Sequence, residues 1–310
     1  MVRSNVTCRE EDTSKDKDKG WCMQPFILPV CLYSQNVYAM KKISLMFAFL
    51  MAFTLSMAQN RETRTVDTFT KLTFRVPGKL YLKQGSPQKV ELEGPKDVLD
   101  EIETEVSGGK LVIGKEGKWM NWGWNDSKDK ISVYVTVKDI EAISVSGSGD
   151  IIGQGKFTTG DLQLNVSGSG FLQIEADASG NVEADVSGSG DVDFKGSCNN
   201  FDSDVSGSGK VVLSLAVSGV ADFGVSGSGK IQAAGTAKEV KAGISGSGKV
   251  LAANLETDKC TVRISGSGDV EINVKNDLDA TISGSGSVSY KGNPSHMNSH
   301  SSGSGHVRKM

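Results

Sequence analysis

The residues best suited to ligand chemistry lie in one short segment. Three of the chain's four tryptophans fall within residues 118–126, beside an Asn-Asp pair. The candidate ligand-binding residues are Trp119, Trp122, Trp124, Asn125 and Asp126. Indole rings pack on sugar rings or on the apolar surface of a partner, and amide and carboxylate groups hydrogen-bond to hydroxyls. The segment therefore predicts a site for a glycan or a cell-surface protein. The alternative is that the three rings fold back as a hydrophobic lid over the core.

A second candidate is a row of residues, one after each copy of a repeated Ser-Gly-Ser-Gly motif. The row is Asp150, Phe171, Asp191, Lys210, Lys230, Lys249, Asp269, Ser287 and His306. β-Helix enzymes that degrade acidic polysaccharides place acidic and basic residues on one sheet face, so such an enzyme is an alternative function. A glycosidase needs two carboxylates about 5 to 9 Å apart, and no two Asp of this row are in neighbouring copies. A solvated face is therefore favoured, with opposite charges stacked as in Asp191 beside Lys210 and Lys249 beside Asp269.

Most other chemistry is disfavoured by the residue types. The three histidines, His296, His300 and His306, lie in the last repeat, so the body of the chain lacks the usual general base and zinc ligand. Calcium-binding β-rolls have a nine-residue period and an Asp in the glycine turn, whereas Ser takes that place here. No His or buried acid accompanies these serines to make them nucleophiles. We expect no enzyme activity, no metal and no cofactor.

The distribution of charge in the sequence indicates whether nucleic acid is a partner. The formal net charge is -3 and the isoelectric point is about 5.7. Acidic and basic residues are interspersed, and no stretch forms the basic face that nucleic-acid binding requires. We therefore expect no nucleic-acid partner.

The Ser-Gly-Ser-Gly motif specifies the architecture that must position these residues. It begins at nine positions, 18 to 21 residues apart: Ser146, Ser167, Ser187, Ser206, Ser226, Ser245, Ser265, Ser283 and Ser302. Repetition at this period indicates stacked structural units. Apolar residues alternate in one phase on both sides of each Gly-x-Gly, so we expect them and the glycines to face inward and the serines outward. Each motif would then be a corner that joins the two strands of one coil.

The predicted fold is all-β, a right-handed single-stranded parallel β-helix, or solenoid, with coils of about 20 residues. The right hand is the usual one for parallel crossovers, and a left-handed solenoid is the alternative. Residues 66–140 are predicted to be degenerate opening coils, since Phe74-x-Val76-x-Gly78-x-Leu80-x-Leu82 shows the later pattern with one glycine. Residues 141–310 are the regular coils, ending in a polar cap in which Ser299 and Ser301 occupy inner positions. Residues 59–310 would form one domain.

Residues 40–58 have the features of a signal peptide: Met40-Lys-Lys, an apolar run over residues 43–57, and the small Ala58. We expect translation to start at Met40, so that residues 1–39 are not part of the native protein. The apolar run is shorter than the roughly 18 residues of a spanning helix, although a membrane anchor is the alternative. The mature chain, with no integral membrane segment, would reach the periplasm, the cell surface or the medium.

Two cysteines would remain after removal of the leader, Cys198 and Cys260. They lie about three coils apart, which at the strand spacing is roughly 14 Å. This separation is too large for a disulfide, so we expect both to be free and Cys260 to be a small apolar core residue.

These features together resemble a known family. The leader, the phenylalanine-rich opening strands, the strand at residues 131–137 and the repeated Ile/Val-Ser-Gly-Ser-Gly-Asp/Lys-Val are similar to the bacterial family described as "putative auto-transporter adhesin, head GIN domain", over about residues 66–308. The resemblance implies an exported β-helical protein of the cell envelope, mostly from Bacteroidota, with an adhesin-like role, and it implies no catalytic residues. The leading hypothesis is an exported non-enzymatic solenoid that binds a glycan or a surface protein. A polysaccharide-degrading enzyme and a purely structural envelope protein are the alternatives.

Overall fold

The computed structural model describes residues 60–114 and 131–310. The leader expected at residues 40–58 and the five candidate residues Trp119, Trp122, Trp124, Asn125 and Asp126 lie outside the described residues. Within the described ranges the chain is nearly all β-strand, and α1 (Lys96–Leu99) is the only helix. The predicted all-β class is therefore confirmed.

Seven strands and α1 precede the repeats. The strands are β1 (Asn60–Arg64), β2 (Lys71–Phe74), β3 (Lys79–Gln84), β4 (Lys89–Gly94), β5 (Glu103–Ser107), β6 (Lys110–Gly114) and β7 (Ser132–Val137). In β3, β4 and β7 the buried residues alternate with more exposed ones, for example Leu80 and Leu82 in β3 and Val133 and Val135 in β7, as expected of strands with one face on a core.

The repeats form the remaining strands, two for each coil. In chain order they are β8 (Ala142–Gly147), β9 (Asp150–Thr159), β10 (Leu162–Gly168), β11 (Phe171–Ala178), β12 (Asn181–Gly188), β13 (Asp191–Cys198), β14 (Asn200–Gly207), β15 (Lys210–Val217), β16 (Val220–Gly227), β17 (Lys230–Gly246), β18 (Lys249–Gly266), β19 (Asp269–Gly284), β20 (Ser287–Lys291), β21 (His296–Ser302) and β22 (His306–Lys309). Strands β17, β18 and β19 each run through a return corner, so that each contributes to two successive coils.

The coils stack as two parallel sheets that meet at the glycine corners. Sheet one contains the strands that precede a corner: β8, β10, β12, β14, β16, the second halves of β17 to β19, and β21. Sheet two contains the strands that follow a corner: β9, β11, β13, β15, the first halves of β17 to β19, β20 and β22. Ser187 pairs with Ser206, and Ser206 with Ser226, so the motif itself is in register. The predicted parallel β-solenoid is confirmed.

The core is built from equivalent positions of successive coils. Val186, Val205 and Val225 stack in register and are at most 2% exposed. Phenylalanines fill the wider layers, with ring centroids 5.5 Å apart for Phe194 and Phe201. Side chains that repeat in register bury the same apolar surface in every coil, which is how a narrow solenoid obtains a continuous core.

The two glycines of each corner have different roles. At the first, Gly207, φ is +123° and an added Cβ would lie 2.5 Å from the carbonyl oxygen of Gly188 in the preceding coil. At the second, Gly209, an added Cβ would lie 2.5 Å from Val186 Cγ1 in the core and also 2.5 Å from the carbonyl oxygen of Gly190 in the preceding coil. The prediction that both glycines face inward is therefore right for the second and wrong for the first. A positive φ turns the first glycine toward its neighbour along the stack, where only a residue without a side chain fits.

The coils at the N-terminal end are not stacked in chain order. Strands β2 and β3 pair in parallel with β8 and β9, but on their other side they pair with β6 and β7. The coil of β6 and β7 is therefore outermost although it comes later in the chain. Antiparallel strands then close this end: β5 pairs with β6, β4 with β7, and β1 with β4. These antiparallel strands were not predicted from the sequence.

The two cysteines are free, as predicted from their spacing, and both are buried, which was predicted for Cys260 only. Cys198 is 5% exposed and Cys260 is fully buried. Burial raises the pKa of Cys198 to about 11 and that of Cys260 to about 12. Both thiols therefore stay protonated at neutral pH and behave as small apolar residues.

Candidate binding surfaces

The tryptophan segment occupies a distinctive place in the chain. Residues 115–130 connect β6 to β7, and the two strands they join are the two sides of one coil. In the repeats the same connection is a Ser-Gly corner of a few residues. Gly114 and Ile131, which flank the segment, are both buried in the solenoid. The segment that carries Trp119, Trp122 and Trp124 is thus an insertion at a corner of the outermost coil.

The row that follows each corner lies on the outer face of sheet two in the register expected from the sequence. Asp150, Phe171, Asp191, Lys210 and Lys230 are consecutive register partners, and the row continues through Lys249, Asp269, Ser287 and His306. This prediction is confirmed. It places one residue of the row on each coil, at the spacing of adjacent strands.

Opposite charges pair within this row, as predicted for Lys249 and Asp269. Lys249 Nζ donates to Asp269 Oδ2 at 2.8 Å, and Ser287 Oγ donates to Asp269 Oδ1 at 3.2 Å. The hydrogen bond from Lys249 holds the pKa of Asp269 below its usual value. Exposed pairs of this kind contribute little to stability. The row is therefore a solvated face.

Sheet one carries a group of carboxylates on its outer face that the sequence reasoning missed. We call Glu183, Asp185, Asp202, Asp204 and Asp222 the acidic cluster. Glu183, Asp202 and Asp222 are register partners on β12, β14 and β16. Asp185 and Asp204 each lie two residues before the motif serine of the same strand. Five carboxylates therefore lie on three consecutive coils.

Crowding within the acidic cluster changes its protonation. Burial, together with the charges of Glu183 and Asp204, raises the pKa of Asp185 to about 6, against a hydrogen bond from the backbone N–H of Asp204 that lowers it. Burial and the charges of Asp204 and Asp222 also raise the pKa of Asp202. Like charges in adjacent register positions oppose ionisation. The cluster therefore holds a proton more readily than isolated aspartates and destabilises the sheet when fully ionised.

The signal for the acidic cluster was present in the repeat. Its members lie two or four residues before a motif serine, as Asp185 and Glu183 do before Ser187. When the strands that precede the motif are aligned copy by copy, these carboxylates fall at two equivalent positions, two and four residues before the motif serine. The described residues hold no group of three His, Cys, Asp or Glu side chains arranged to bind a metal ion.

An aromatic ladder lies on the outer face of sheet two near the N-terminal end. The rings of Tyr81 and Tyr134 stack with centroids 5.3 Å apart and planes 19° from parallel. The Arg61 guanidinium lies 4.4 Å from the Tyr134 centroid, and Arg61 Nε is 3.6 Å from Glu93 Oε2. Stacking and the cation–π contact hold these rings in place. The Tyr134 ring is therefore in contact with both Tyr81 and Arg61.

The aromatic ladder could not be found from the sequence spacing. Tyr81 and Tyr134 become neighbours only because β7 packs beside β3, outside the chain order of the coils. No helix in the described ranges has the length and hydropathy to cross a membrane.

Comparison with known proteins identifies the family. The family model described as "putative auto-transporter adhesin, head GIN domain" matches residues 68–222 and 205–294, well over half of the chain. No curated protein matches the chain in sequence.

Several solved structures have the same fold. A "putative lipid binding protein" from Parabacteroides distasonis is 25% identical, with a TM-score of 0.57 over 81% of this chain and 97% of its own. A "putative adhesin" from Parabacteroides merdae is 19% identical, with a TM-score of 0.58 over 81% of this chain and 95% of its own. A "putative adhesin" from Parabacteroides distasonis is 20% identical, with a TM-score of 0.56 over 81% of this chain and 96% of its own. The last two likenesses concern the fold alone. Because the family model matches more than half of the chain, this chain belongs to the family described as "putative auto-transporter adhesin, head GIN domain".

Proposed function

We propose that this chain is an exported, non-enzymatic adhesin of the cell envelope that binds a glycan or a cell-surface protein through the tryptophan segment. The observation that carries the proposal is the place of residues 115–130, inserted between β6 and β7 where every repeat has a short glycine corner. The family match and the adhesin descriptions of solved relatives support an adhesin-like role.

The insertion suits a binding role for physical reasons. A solenoid tolerates additional residues at its corners because the strands on either side remain paired, and functional residues concentrate in such loops. Three tryptophans within residues 119–124 are costly when exposed, unless a partner or the core covers them. In the proposed site Trp119, Trp122 and Trp124 stack on the ligand, while Asn125 and Asp126 hydrogen-bond to its hydroxyl groups.

The proposal includes export through the leader at residues 40–58. Translation would start at Met40, and residues 59–310 would be the mature domain. N-terminal sequencing of the protein recovered from the native envelope fraction tests this step. We expect the mature chain to begin at Gln59, and a chain that retains residues 1–39 would contradict it.

Replacement of the three tryptophans by alanine tests the binding role. We expect the variant Trp119→Ala/Trp122→Ala/Trp124→Ala to lose its signal on a glycan array and its binding to whole cells. Phe171→Ala is the matched control, because it removes an aromatic ring from the solvated row of sheet two. Circular dichroism and thermal unfolding would establish that both variants are folded. Undiminished binding by the triple variant would refute the assignment of the site.

A polysaccharide-degrading enzyme is the second candidate, and the acidic cluster is the observation that favours it. Glycosidases use two nearby carboxylates whose pKa values differ, and Asp185, with a pKa of about 6, lies among ionisable neighbours on adjacent coils. The cluster lies on an outer sheet face, however, whereas such catalysis is carried out in a cleft that excludes water. New reducing ends or unsaturated products from purified protein and acidic or neutral polysaccharides would establish this function instead.

A purely structural envelope protein is the remaining alternative. A protein that binds a ligand only when folded is stabilised by it. The adhesin proposal therefore predicts an increase in Tm with at least one glycan or surface protein that scores in the binding assay. A chain whose Tm no such molecule raises would favour the structural role.

A further inference from the structure

A polar groove lies between the loops that lead into β2, β8 and β10. It consists of two adjoining cavities of about 330 Å³ and 470 Å³, and Asp139 lines both. Cavities of this size are typical of small-molecule sites. The groove lies at the C-terminal end of β7, whereas the tryptophan segment ends where β7 begins, and the six residues of that strand span about 20 Å. The groove is therefore a separate candidate site.

The loops around the groove are longer than those of the repeats. Six residues (65–70) connect β1 to β2, and four (138–141) connect β7 to β8. The corresponding connections between β9 and β16 have only one or two residues. Polar side chains in these short connections are used within the stack: Asp161 Oδ1 accepts from the Asn181 backbone N–H at 2.7 Å, and Asn200 Nδ2 donates to Asn181 Oδ1 at 2.9 Å.

The charged side chains of the longer loops are not used in this way. Four that line the groove form no hydrogen bond or ion pair in the part of the chain that the structure describes: Lys71, Lys138, Asp139 and Glu141. All four are exposed. Elsewhere, opposite charges on neighbouring strands do pair. Donors and acceptors that surround one cavity without a partner are available to a ligand.

The composition of the lining favours a ligand that is rich in hydroxyl groups and carries no charge. Two lysines and three carboxylates line the groove, so its charge is nearly balanced and selects neither an acidic nor a basic ligand. Of the described residues that line it, only Phe69 and Ile140 are large and apolar, and both are at most 2% exposed. The groove therefore offers little apolar surface. A sugar hydroxyl both donates and accepts, so it can pair with carboxylates and ammonium groups together.

We propose that this groove binds an uncharged saccharide. Asp139 and Glu141 accept hydrogen bonds from the sugar hydroxyls, and Lys71 and Lys138 donate to the hydroxyl oxygens. The loops before β2 and β8 supply these groups from neighbouring coils, so the groove takes a single sugar unit or the end of a chain. This site is independent of the role proposed for the tryptophan segment.

Saturation-transfer difference NMR of the full chain with single monosaccharides tests the proposal. The probes are glucose, galactose and N-acetylglucosamine, with glucuronic acid and glucosamine as charged counterparts. We expect millimolar binding of at least one uncharged sugar and weaker binding of the charged ones. Asp139→Ala/Glu141→Ala should raise the Kd of that sugar at least about tenfold, because it removes two charged hydrogen-bond acceptors. Asp191→Ala/Asp193→Ala removes two carboxylates from the outer face of sheet two and should bind as the parent does.

Gly160→Leu is a second variant, which leaves every hydrogen-bonding side chain in place. Gly160 lines the groove, and an added Cβ would meet no atom within 4 Å, so the fold accepts a side chain there and the groove narrows. This variant should also lose affinity for the sugar. Gly243→Leu is the matched control, since an added Cβ is equally unhindered in β17, outside the groove. Circular dichroism would establish that the variants are folded.

The variant Trp119→Ala/Trp122→Ala/Trp124→Ala separates this site from the tryptophan segment. It should bind the monosaccharide as the parent does. Loss of monosaccharide binding in this variant, with full binding by Asp139→Ala/Glu141→Ala, would overturn the groove as the site and leave the proposed function standing. The groove would also be overturned if no uncharged sugar bound at tens of millimolar, or if only the charged sugars bound.

Discussion

Gly207→Ala should destabilise the solenoid strongly because the stack has no room for a side chain there. The residue has φ of +123°, and an added Cβ would lie 2.5 Å from the Gly188 carbonyl oxygen and 3.2 Å from the Gly188 nitrogen. Both contacts are to backbone, so no flexible side chain can move aside. To accept the methyl group, two coils must separate or the corner must change its conformation.

The magnitude follows from two effects. The φ region occupied by Gly207 costs a residue with a side chain about 1–3 kcal/mol, and overpacking of a rigid neighbour adds a further 1–3 kcal/mol or so. Loss of glycine entropy in the unfolded chain offsets about 0.4–1 kcal/mol of this. We expect Gly207→Ala to lower the free energy of unfolding by about 2–5 kcal/mol, a large part of the stability of a typical domain.

Gly243→Ala is the matched control, since Gly243 lies in β17 at an ordinary φ and an added Cβ would meet no atom within 4 Å. There we expect no loss of stability, or a gain of about 0.5–1 kcal/mol from the higher strand preference of alanine. Guanidinium unfolding followed by far-ultraviolet circular dichroism gives the two midpoints. Equal midpoints for the two variants would refute the reasoning about the stacked corner.

Three further predictions concern individual side chains. Asp185→Asn should raise the free energy of unfolding at pH 7 by about 1 kcal/mol, less than the full pKa shift implies because the carboxylate is partly solvated. Because the pKa of Asp185 is about 6 in the folded chain and 3.8 ordinarily, the carboxylate destabilises the fold increasingly from about pH 4 to pH 6. The variant and the parent should therefore be equally stable at pH 3.5. Urea unfolding at pH 7 and pH 3.5 checks this, and an equal gain in stability at pH 3.5 would contradict it. In a variant with Cys8→Ser, Cys22→Ser and Cys31→Ser, Cys198 and Cys260 should not react with a thiol reagent in the native protein and should react after denaturation, as an absorbance assay would show. Rapid native reaction of this variant would mean that these two thiols are not buried. Arg61→Ala should loosen the Tyr134 ring and reduce the near-ultraviolet circular dichroism of the tyrosines, whereas an unchanged spectrum would count against the cation–π contact.

The repeat made most of the fold predictable. An in-phase motif brings each residue against its counterpart in the next copy, so the parallel pairing of Ser187 with Ser206 followed from the sequence spacing. The acidic cluster could have been predicted in the same way, by aligning the strand before each motif with the equivalent strand of the next copy. Register can be predicted wherever one face of a strand is buried and the motif is repeated.

The N-terminal end was not predictable in the same way. Val90 and Leu92 of β4 alternate with polar residues as Leu80 and Leu82 of β3 do, yet β4 is antiparallel and β3 is parallel. Apolar alternation specifies a strand and its inner face, but not its direction or its neighbour. The stacking of Tyr81 on Tyr134 depends on that neighbour, and tertiary packing alone determines it.

In the proposed function, the insertion between β6 and β7 contacts the partner. The most direct measurement is a titration of whole cells with the purified full chain and with its Trp119→Ala/Trp122→Ala/Trp124→Ala variant, with Phe171→Ala as control. We expect saturable binding by the parent and the control, and at least a tenfold loss of affinity in the triple variant, since loss of an interface hot spot, commonly a tryptophan, costs about 2 kcal/mol or more. Equal affinity of the folded triple variant and the parent would contradict it.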